Sequence, residues 1–302
     1  MKIAVTGATG FLGRYIVNHL LGAGHDCRCW HRPNSDRGGF QEHAPGSLEW
    51  VSGQLGDDAS AERLFAGTGA VVHAALERPG AGFRGAEGDI VLFAERNVVG
   101  TLRLVRAARQ AGAGRFVFIS TCAVHEIVLE DRPLDETHPL WPTSHYGAHK
   151  AAIEKFIHSF GHGEGYDICA LRPTGIYGLA RPVEKSRFYD IVHAVAAGEP
   201  VDSDRGGKYV HAMDVARAVA LLLRADGVAG QAYNCTDLYV SDERIARIAR
   251  DRTGSSSRIA AHSKAPRHQI ETGKLRALGM EFGGQKLLEK TIAQLAEAVR
   301  PT

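Results

Sequence analysis

The stretch "KIAVTGATGFLG" (residues 2–13) decides the fold of this chain. A short apolar strand pattern runs directly into three glycines, and a helical pattern begins where the glycines end. Glycine in such a turn permits a tight reversal, lets a pyrophosphate approach the backbone, and allows the helix to pack closely on the strand. The free N–H groups and the dipole at the start of the helix attract a dianion. The stretch therefore predicts a nucleotide site at Gly7, Gly10 and Gly13.

Strand-like and helical patterns alternate through the first half of the chain. Helical stretches lie near 12–23, 59–66, 88–111 and 144–160, between short runs rich in β-branched residues. Strands that are apolar almost throughout, alternating with helices, are typical of a parallel sheet covered on both faces. We predict an α/β fold with a doubly wound parallel sheet of the Rossmann type. Its strands are expected at "KIAVTG" (2–7), "HDCRCW" (25–30), "LEWVSG" (48–53), "AVVHAA" (70–75), "RFVFIS" (115–120) and "YDICALR" (166–172).

The regular alternation fades after residue 173. We predict a dinucleotide-binding domain over 1–173 and a smaller substrate-binding lobe over 174–302, with some segments of the lobe returning to complete the sheet. "DRGGKYV" (204–210) and "RTGSSSR" (252–258) resemble loops because they are rich in glycine and small polar residues. Further helices are expected at 186–197, 212–225, 241–252 and 286–298, and a further strand at "QAYNC" (231–235).

Composition excludes several classes of function. The formal net charge of +2 over 302 residues, with both signs interspersed, forms no basic stripe, so nucleic acid is not an expected partner. No run of about 18 apolar residues predicts a membrane span, and no secretory pattern precedes the first strand. The five cysteines are scattered without a CxxC pair. We expect reduced thiols, a cytoplasmic location, and neither a metal site nor a disulfide framework.

The end of the second strand bears on which dinucleotide binds. An acid there accepts the ribose hydroxyls of NAD, whereas an arginine meets the 2′-phosphate of NADP. The chain reads "CRCWHRPNSDR" (27–37), with His31 and Arg32 at this point and no carboxylate before Asp36. A guanidinium engages phosphate in a bidentate way. We predict NADP(H), with NAD(H) as the alternative if Arg32 is only a solvated loop charge.

The stretch "SHYGAHK" (144–150) places Tyr146 and Lys150 four residues apart, and therefore on one face of a helix. A phenol beside an ammonium suits acid–base catalysis. An amphipathic helix with a snorkelling lysine would carry the same pair. The stretch alone does not separate the two interpretations.

A series of motifs resembles the extended short-chain dehydrogenases/reductases of the epimerase/dehydratase type. The resemblance runs almost from end to end, and the order and spacing of the motifs are more specific than any one of them. The motifs are "TGATGFLG" (6–13), "VVHAA" (71–75), "NVVGT" (97–101), "FISTCAV" (118–124), "YGAHK" (146–150), "LRPTGIYG" (171–178), "YVHAMDVA" (209–216) and "AYNC" (232–235).

The resemblance implies a catalytic triad of Thr121, Tyr146 and Lys150. A phenol with an ordinary pKa of about 10 is a poor base at neutral pH, and a neighbouring ammonium favours the phenolate. Lys150 is also expected to bind the ribose of the nicotinamide. Thr121, at the end of the fifth predicted strand, is expected to hold the substrate oxygen.

The resemblance also implies a set of cofactor contacts. Gln54, just before Leu55, stands where the family usually carries an acid that meets the adenine amino group. His73, on an apolar strand, is interpreted as a hydrogen-bonded core histidine. The expected cofactor-binding residues are Gly7, Gly10, Phe11, Leu12, Gly13, His31, Arg32, Gln54, Leu55, Ala74, Asn97, Tyr146, Lys150, Pro173 and Thr174.

Departures from the family pattern point away from nucleotide-sugar enzymes. Dehydratases of the family follow the triad threonine with an Asp–Glu pair, and this chain has Cys122 and Ala123 there. Gly175 stands in place of an asparagine that meets a diphosphate, and Lys208 in place of an arginine. We therefore predict an NADP(H)-dependent oxidoreductase that interconverts an alcohol and a carbonyl on a small or medium-sized organic substrate.

Two other functions stay open. One is an NAD-dependent sugar epimerase that retains its cofactor, and the other is a regulator that binds a dinucleotide without turnover. The stretches 88–111 and 144–160 are candidates for a homodimer interface, because the family often pairs two long helices in this way. Residues expected to contact the substrate are Cys122, His145, Tyr177, Arg181 and His211, together with the loop 126–141.

Overall fold

The computed structural model describes residues 1–80, 85, 87–262 and 266–300. The chain forms two compact units. Unit 1 comprises Met1–Pro173, Val215–Cys235 and Ile270–Met280. Unit 2 comprises Thr174–Asp214, Thr236–Gln269 and Glu281–Thr302.

The strands and helices are numbered in chain order. The strands are β1 (Lys2–Thr6), β2 (Asp26–His31), β3 (Leu48–Ser52), β4 (Ala70–His73), β5 (Arg115–Ile119), β6 (Ile168–Pro173), β7 (Gly175–Tyr177), β8 (Gly206–His211), β9 (Ala232–Cys235) and β10 (Leu238–Ser241). The helices are α1 (Phe11–Gly22), α2 (Asp58–Phe65), α3 (Ile90–Ala94), α4 (Gly100–Gln110), α5 (His145–His158), α6 (Tyr189–Ala196), α7 (Ala212–Leu222), α8 (Asp242–Thr253), α9 (Gly273–Ala277) and α10 (Gly284–Ala298).

Unit 1 is built on a seven-stranded sheet with the order β3-β2-β1-β4-β5-β6-β9, and every pairing is parallel. The strand order reverses between β1 and β4, where Thr6 is in register with His73. A crevice at the carboxyl ends of the strands at such a reversal is where these sheets bind ligands. The predicted doubly wound Rossmann fold is confirmed.

The core of unit 1 explains why the strands are apolar throughout. Ile3, Val5, Val71 and Val72 are fully buried because helices cover both faces of the sheet. Each such side chain contributes about 1.5–3 kcal/mol relative to leaving it in water. The helical stretch expected at 88–111 is one α-helix interrupted by a turn of π-helix, which separates α3 from α4.

Unit 2 holds a three-stranded sheet, β10-β8-β7, and a core shared by α6, α8 and α10. The stretch 204–210, expected to be a loop, contains most of β8. Its glycines are explained by packing: a Cβ on Gly206 would lie 2.6 Å from the Tyr239 hydroxyl, and one on Gly207 3.1 Å from the Tyr209 ring. In the part of the chain that the structure describes, no helix combines the length and apolarity needed to cross a membrane.

Candidate active site

The glycine turn after β1 is shaped by close backbone contacts. Gly7 has a φ of +72°, and a Cβ on it would lie 2.7 Å from the Ala74 carbonyl carbon, at the point where β1 and β4 diverge. A Cβ on Gly13 would lie 2.1 Å from the Gly7 oxygen. Side chains are thus excluded from both positions, and the first turn of α1 lies directly on the end of β1.

The N-terminus of α1 is open to an anion. Gly10 occupies the N-cap position, no side chain caps the helix, and its first turn contains no acid. The first N–H groups of a helix have no acceptor within the helix, and the dipole favours negative charge there. Phe11 and Leu12 are the first two helical residues. These residues fit the pyrophosphate of a dinucleotide.

Arg14 anchors the loop that follows β2, a role that the sequence patterns did not indicate. Its guanidinium donates to the carbonyl oxygens of Gly38 (3.0 Å) and Asp36 (2.8 Å), and to that of Thr9. It also contacts the Asp36 carboxylate at 3.1 Å. The first acid after β2 is therefore paired with Arg14.

Arg32 lies at the carboxyl end of β2 with 63% of its side chain exposed, and its guanidinium is 3.7 Å from the Glu77 carboxylate. The Arg32 N–H donates to the Ser35 hydroxyl at 3.1 Å, which shapes the turn. His31 packs edge-on against Trp50, with ring centroids 5.9 Å apart. A cation and an anion thus share the region where a ribose 2′-substituent is expected.

Asn97 clamps the segment that follows β4. Its side-chain oxygen accepts from the Glu77 N–H at 2.9 Å, and its amide nitrogen donates to the Glu77 carbonyl at 2.8 Å and to the Phe93 carbonyl at 3.0 Å. Asn97 is 2% exposed. The amide therefore holds Glu77 in place, and direct contact between Asn97 and a cofactor stays a prediction.

His73 is held neutral in a complete hydrogen-bond chain. Thr101 donates its hydroxyl proton to the Asn97 carbonyl (2.6 Å), so it accepts from His73 Nε2 (2.9 Å). Thr6 accepts from the Ala75 N–H (3.2 Å) and therefore donates to His73 Nδ1 (2.6 Å). Burial, with a smaller effect of Lys150, lowers the pKa of His73 to about 3. This agrees with the interpretation of His73 as a core residue.

The remaining expected cofactor contacts lie near the same strand ends or in unit 2. Gln54 is exposed, whereas Leu55 is buried and its carbonyl accepts from Arg96 at 3.3 Å. Pro173 ends β6. Thr174 begins unit 2 and contacts the Thr236 hydroxyl at 3.1 Å.

The Tyr146 turn of α5 packs against the end of β5. Ser144 caps the helix by accepting from the Gly147 N–H at 3.1 Å. A Cβ on Gly147 would lie 2.6 Å from the Ala123 carbonyl oxygen, so only glycine allows this approach. Thr121 precedes Ala123 by two residues and accepts from its N–H at 3.1 Å. The helix turn that carries Tyr146 thus meets the turn that follows Thr121.

Lys150 is buried beneath this helix and bridges to β5. Its ammonium donates to the Ile119 carbonyl at 2.8 Å and lies 4.4 Å from the centroid of the Phe118 ring. Burial lowers the pKa of Lys150 to about 7, against the raising effect of the Glu154 carboxylate. The three residues of the predicted triad therefore belong to elements that meet at the carboxyl end of β5.

Two further charged residues accompany Tyr146, and no motif had indicated them. Burial lowers the pKa of Arg78, and the charge of the Tyr146 phenolate acts in the opposite direction. Arg78 therefore lies within electrostatic reach of the phenolic oxygen, and it directly follows the clamped Glu77. Glu87, 7% exposed, accepts from the Tyr146 N–H at 3.2 Å.

His149 lies between the aromatic rings of Phe93 and Tyr146, at centroid distances of 5.0 and 5.4 Å. It is 5% exposed, and its Nδ1 has no hydrogen-bond partner. Burial, followed by the charge of Lys150, lowers the pKa of His149 to about 2. The imidazole is therefore neutral and acts as part of the packing.

The expected substrate residues divide between the two units. In unit 1, the Cys122 thiol donates to the Arg172 carbonyl at 2.9 Å, and burial raises its pKa to about 12, which disfavours the thiolate form. His145 is exposed at the first position of α5.

In unit 2, Arg181 is exposed. Tyr177 is fully buried, with ring centroids 5.6 Å from Phe188 and 5.0 Å from His211. His211 Nδ1 accepts from the Met213 N–H at 3.0 Å. A substrate contact of Tyr177 would require its neighbours to move. Across the ranges that the structure describes, no three His, Cys, Asp or Glu side chains gather in a way that could hold a metal ion.

Comparisons with known proteins cover most of the chain. The family model described as "NAD dependent epimerase/dehydratase family" matches residues 3–236. UDP-glucose 4-epimerase of Streptomyces lividans is 28% identical over 243 residues, which are 74% of this chain and 71% of that protein. The 4-hydroxy-2-methyl-3-oxo-4-farnesyl-3,4-dihydroquinoline-1-oxide ketoreductase of Stigmatella aurantiaca is 30% identical over 246 residues, 78% of this chain and 68% of that protein. The crystal structure of the UDP-glucose 4-epimerase of Thermus thermophilus in complex with NAD superposes with a TM-score of 0.80 at 27% identity, covering 99% of this chain and 100% of that one.

Proposed function

The chain belongs to the NAD-dependent epimerase/dehydratase family, and on that premise we propose that it transfers hydride between a nicotinamide dinucleotide and a carbinol or carbonyl carbon of a small-molecule substrate. The observation that carries the proposal is the meeting of the Tyr146 turn, the buried Lys150 ammonium and the Thr121 turn at the end of β5. The same sheet offers an uncapped helix start after its glycine turn. The candidate catalytic residues and the candidate dinucleotide-binding turn thus lie on one unit.

The residues of unit 1 fit the pyrophosphate and the two riboses of the cofactor. Backbone N–H groups of Phe11 and Leu12 would hold the pyrophosphate, and Arg32 would meet the adenosine ribose. Lys150 would hold the nicotinamide ribose. The bound nicotinamide supplies the acceptor or donor of hydride.

Tyr146 takes the proton from the substrate hydroxyl, or returns it to the carbonyl oxygen. Two basic groups favour the phenolate form that this requires. Arg78 lies within reach of the phenolic oxygen, and Lys150, whose pKa burial lowers to about 7, shares a helix face with Tyr146 and is cationic in part of the molecules at neutral pH. A guanidinium keeps its charge at neutral pH. Thr121 accepts from the Ala123 N–H, which leaves its own hydroxyl proton available to the substrate oxygen.

Epimerisation is the specific reaction with the better support. Two of the three similar proteins described above are named UDP-glucose 4-epimerases, and one of them was solved with NAD. Epimerisation needs no acid–base pair beyond the tyrosine, because the hydride that leaves the substrate returns to its other face. Dehydration is disfavoured, since Cys122 and Ala123 replace the Asp–Glu pair. We therefore propose a sugar epimerase that retains its dinucleotide.

The second candidate is net reduction of a carbonyl by NADPH. It is favoured by Arg32, because a guanidinium can bind a 2′-phosphate, although the Glu77 carboxylate 3.7 Å away opposes that anion. The similarity to a ketoreductase points in the same direction. Gly175 and Lys208, in place of the residues that bind a diphosphate in sugar-nucleotide enzymes, also favour a substrate of another kind.

One experiment separates these candidates. The purified protein is heat-denatured, and the released nucleotide is identified by mass spectrometry. Native protein is then assayed with UDP-galactose without added cofactor, and with a panel of aldehydes and ketones plus NADPH. Bound NAD and UDP-glucose formation support the epimerase; an empty protein that consumes NADPH supports the reductase. If neither reaction occurs and Tyr146→Phe binds cofactor as the wild type does, the chain is a non-catalytic binder.

We also propose a homodimer through the helical stretches 88–111 and 144–160 of unit 1. Val99, between α3 and α4, and Phe156, on α5, are each 43% exposed. Large apolar side chains exposed on neighbouring helices favour a partner surface. Light scattering should give the mass of a dimer, and Val99→Glu with Phe156→Glu should give a monomer. A monomeric wild type at micromolar concentration would contradict this.

A further inference from the structure

Glu154 and Arg172 form a buried ion pair next to the candidate active site. Arg172 Nε lies 3.1 and 3.0 Å from the two Glu154 oxygens, and Nη2 lies 2.6 Å from Oε2. Each side chain is 4% exposed. Removing two charges from water is costly, and apolar residues often replace such pairs without loss of stability. The pair therefore calls for an explanation other than stability.

The two neighbours of Thr121 in the sequence contact the residues of this pair, Ser120 through the Glu154 carboxylate and Cys122 through the Arg172 backbone. The Ser120 hydroxyl donates to Glu154 Oε1 in a short hydrogen bond. The Cys122 thiol donates to the Arg172 carbonyl at 2.9 Å. Ile119, one residue earlier, accepts from Lys150. The strand end that carries Thr121 is thus tied to α5 and β6 on both sides of the threonine.

Arg172 also anchors the loop 126–141. Its Nη1 lies 3.1 Å from His125 Nε2 and 3.4 Å from the Glu136 carbonyl. A guanidinium has no acceptor, so Nε2 accepts, and His125 Nδ1 donates to the Pro139 carbonyl at 3.1 Å. The pair therefore fixes the entry of this loop as well as the strand end before it.

We propose that Glu154 and Arg172 are positioning residues: their ion pair holds the Thr121 hydroxyl in register with Tyr146 and Lys150. This inference rests on the proposed hydride transfer. Lys150 and Glu154 stand one turn apart on α5, so the helix that carries the base and its cation also carries the anchor of the threonine. A shift of Thr121 would then lower the turnover rate without disturbing the dinucleotide site at the other strand ends.

The first test needs no turnover. Hydrogen–deuterium exchange of the whole chain is compared in the wild type, Glu154→Gln and Ser120→Ala. Ser120→Ala keeps the ion pair and is the variant to use if Glu154→Gln does not fold. The matched control is Asp167→Asn, because Asp167 pairs with Arg115 at the opposite end of β5 (2.5 Å). We expect the amides of the segment 119–124 to exchange at least ten times faster in the two site variants only. Unchanged exchange in both would overturn the proposal.

The second test asks whether Ser120 acts through Thr121. The kcat for UDP-galactose, or for the carbonyl compound that the panel identifies, is measured in Ser120→Ala, Thr121→Val and the double variant. Cofactor affinity is followed by fluorescence titration. We expect Ser120→Ala to lower kcat about tenfold with unchanged cofactor affinity, and to have no further effect once Thr121 is valine. If the fold losses in kcat of the two single variants multiply in the double variant, the inference is overturned and the proposed function stays intact. A wild type without turnover would remove both.

Discussion

Acidification should destabilise unit 1 through three buried histidines. Burial lowers the pKa of His73 to about 3, of His125 to about 4 and of His149 to about 2. In the unfolded chain each histidine titrates near pH 6.5. Between these values only the unfolded state binds the proton. The stability due to the neutral imidazoles is therefore complete above pH 6.5 and is lost as the pH falls toward the folded-state values.

The size of the effect follows from these values. A histidine with a folded pKa of 4 or lower reduces the free energy of unfolding by about 2 kcal/mol between pH 7 and pH 5, so three histidines reduce it by about 6 kcal/mol. The slope below pH 6.5 approaches about 1.4 kcal/mol per pH unit for each histidine. His19 and His25, whose pKa values are also lowered by burial, add to the loss in the same direction. The total is comparable to the whole stability of a typical domain, about 5–15 kcal/mol.

The assay is urea unfolding of the full chain, followed by circular dichroism at pH 7.0, 6.5, 6.0, 5.5 and 5.0. The range stays above the titration of most carboxylates. His149→Leu is the informative variant, because His149 Nδ1 has no hydrogen-bond partner to lose. We expect the slope of its unfolding free energy against pH to be smaller than that of the wild type by about 1.4 kcal/mol per pH unit. His43→Gln, at an exposed position, is the control. A wild-type stability that is flat from pH 7 to 5, or a slope that His149→Leu leaves unchanged, would refute the reasoning.

Three further predictions concern the cofactor and the triad. Arg32→Gln should weaken the binding of NADPH about fivefold or more without affecting the binding of NADH, and Glu77→Gln should strengthen the binding of NADPH about fivefold. The reason is that unit charges about 4 Å apart in water interact by about 1 kcal/mol. Both affinities are measured by fluorescence titration. Gly13→Ala should abolish dinucleotide binding and cost more than about 2 kcal/mol in chemical unfolding, because its Cβ would lie 2.1 Å from the Gly7 oxygen. Tyr146→Phe should lower kcat by a factor of about 10² to 10⁴ and leave cofactor affinity unchanged in titration.

Each of these has an outcome that contradicts it. Equal effects of Arg32→Gln on NADPH and NADH would assign the arginine to the loop rather than to the phosphate. Normal binding by Gly13→Ala would mean that α1 does not need its close approach to β1. Gly273→Ala, at the start of α9, is the matched control for stability, because an added Cβ there meets open space and the backbone lies outside the left-handed region. Retained turnover in Tyr146→Phe would assign the proton transfer to another group.

The fold could be predicted because its signals are local. A strand, a glycine turn and a helix within residues 2–13 are close in the sequence and form together, and the alternation of apolar strands with helices indicated the parallel sheet. The stretch 204–210 shows where this fails. Its glycines predicted a loop, but they lie in β8, where a Cβ on Gly206 would come within 2.6 Å of the Tyr239 hydroxyl. Tyr239 belongs to β10, the antiparallel partner of β8, which comes much later in the chain.

The sequence by itself determined the Rossmann sheet, the glycine turn, and the candidate triad of Thr121, Tyr146 and Lys150. Only the tertiary structure decided which groups surround them. Glu77 faces Arg32, Ser120 donates to the Glu154 carboxylate, and Cys122 donates to the Arg172 carbonyl. The physical reason is that a helix or a turn follows from residues a few positions apart, whereas a buried charge finds its partner only after strands distant in the chain have come side by side.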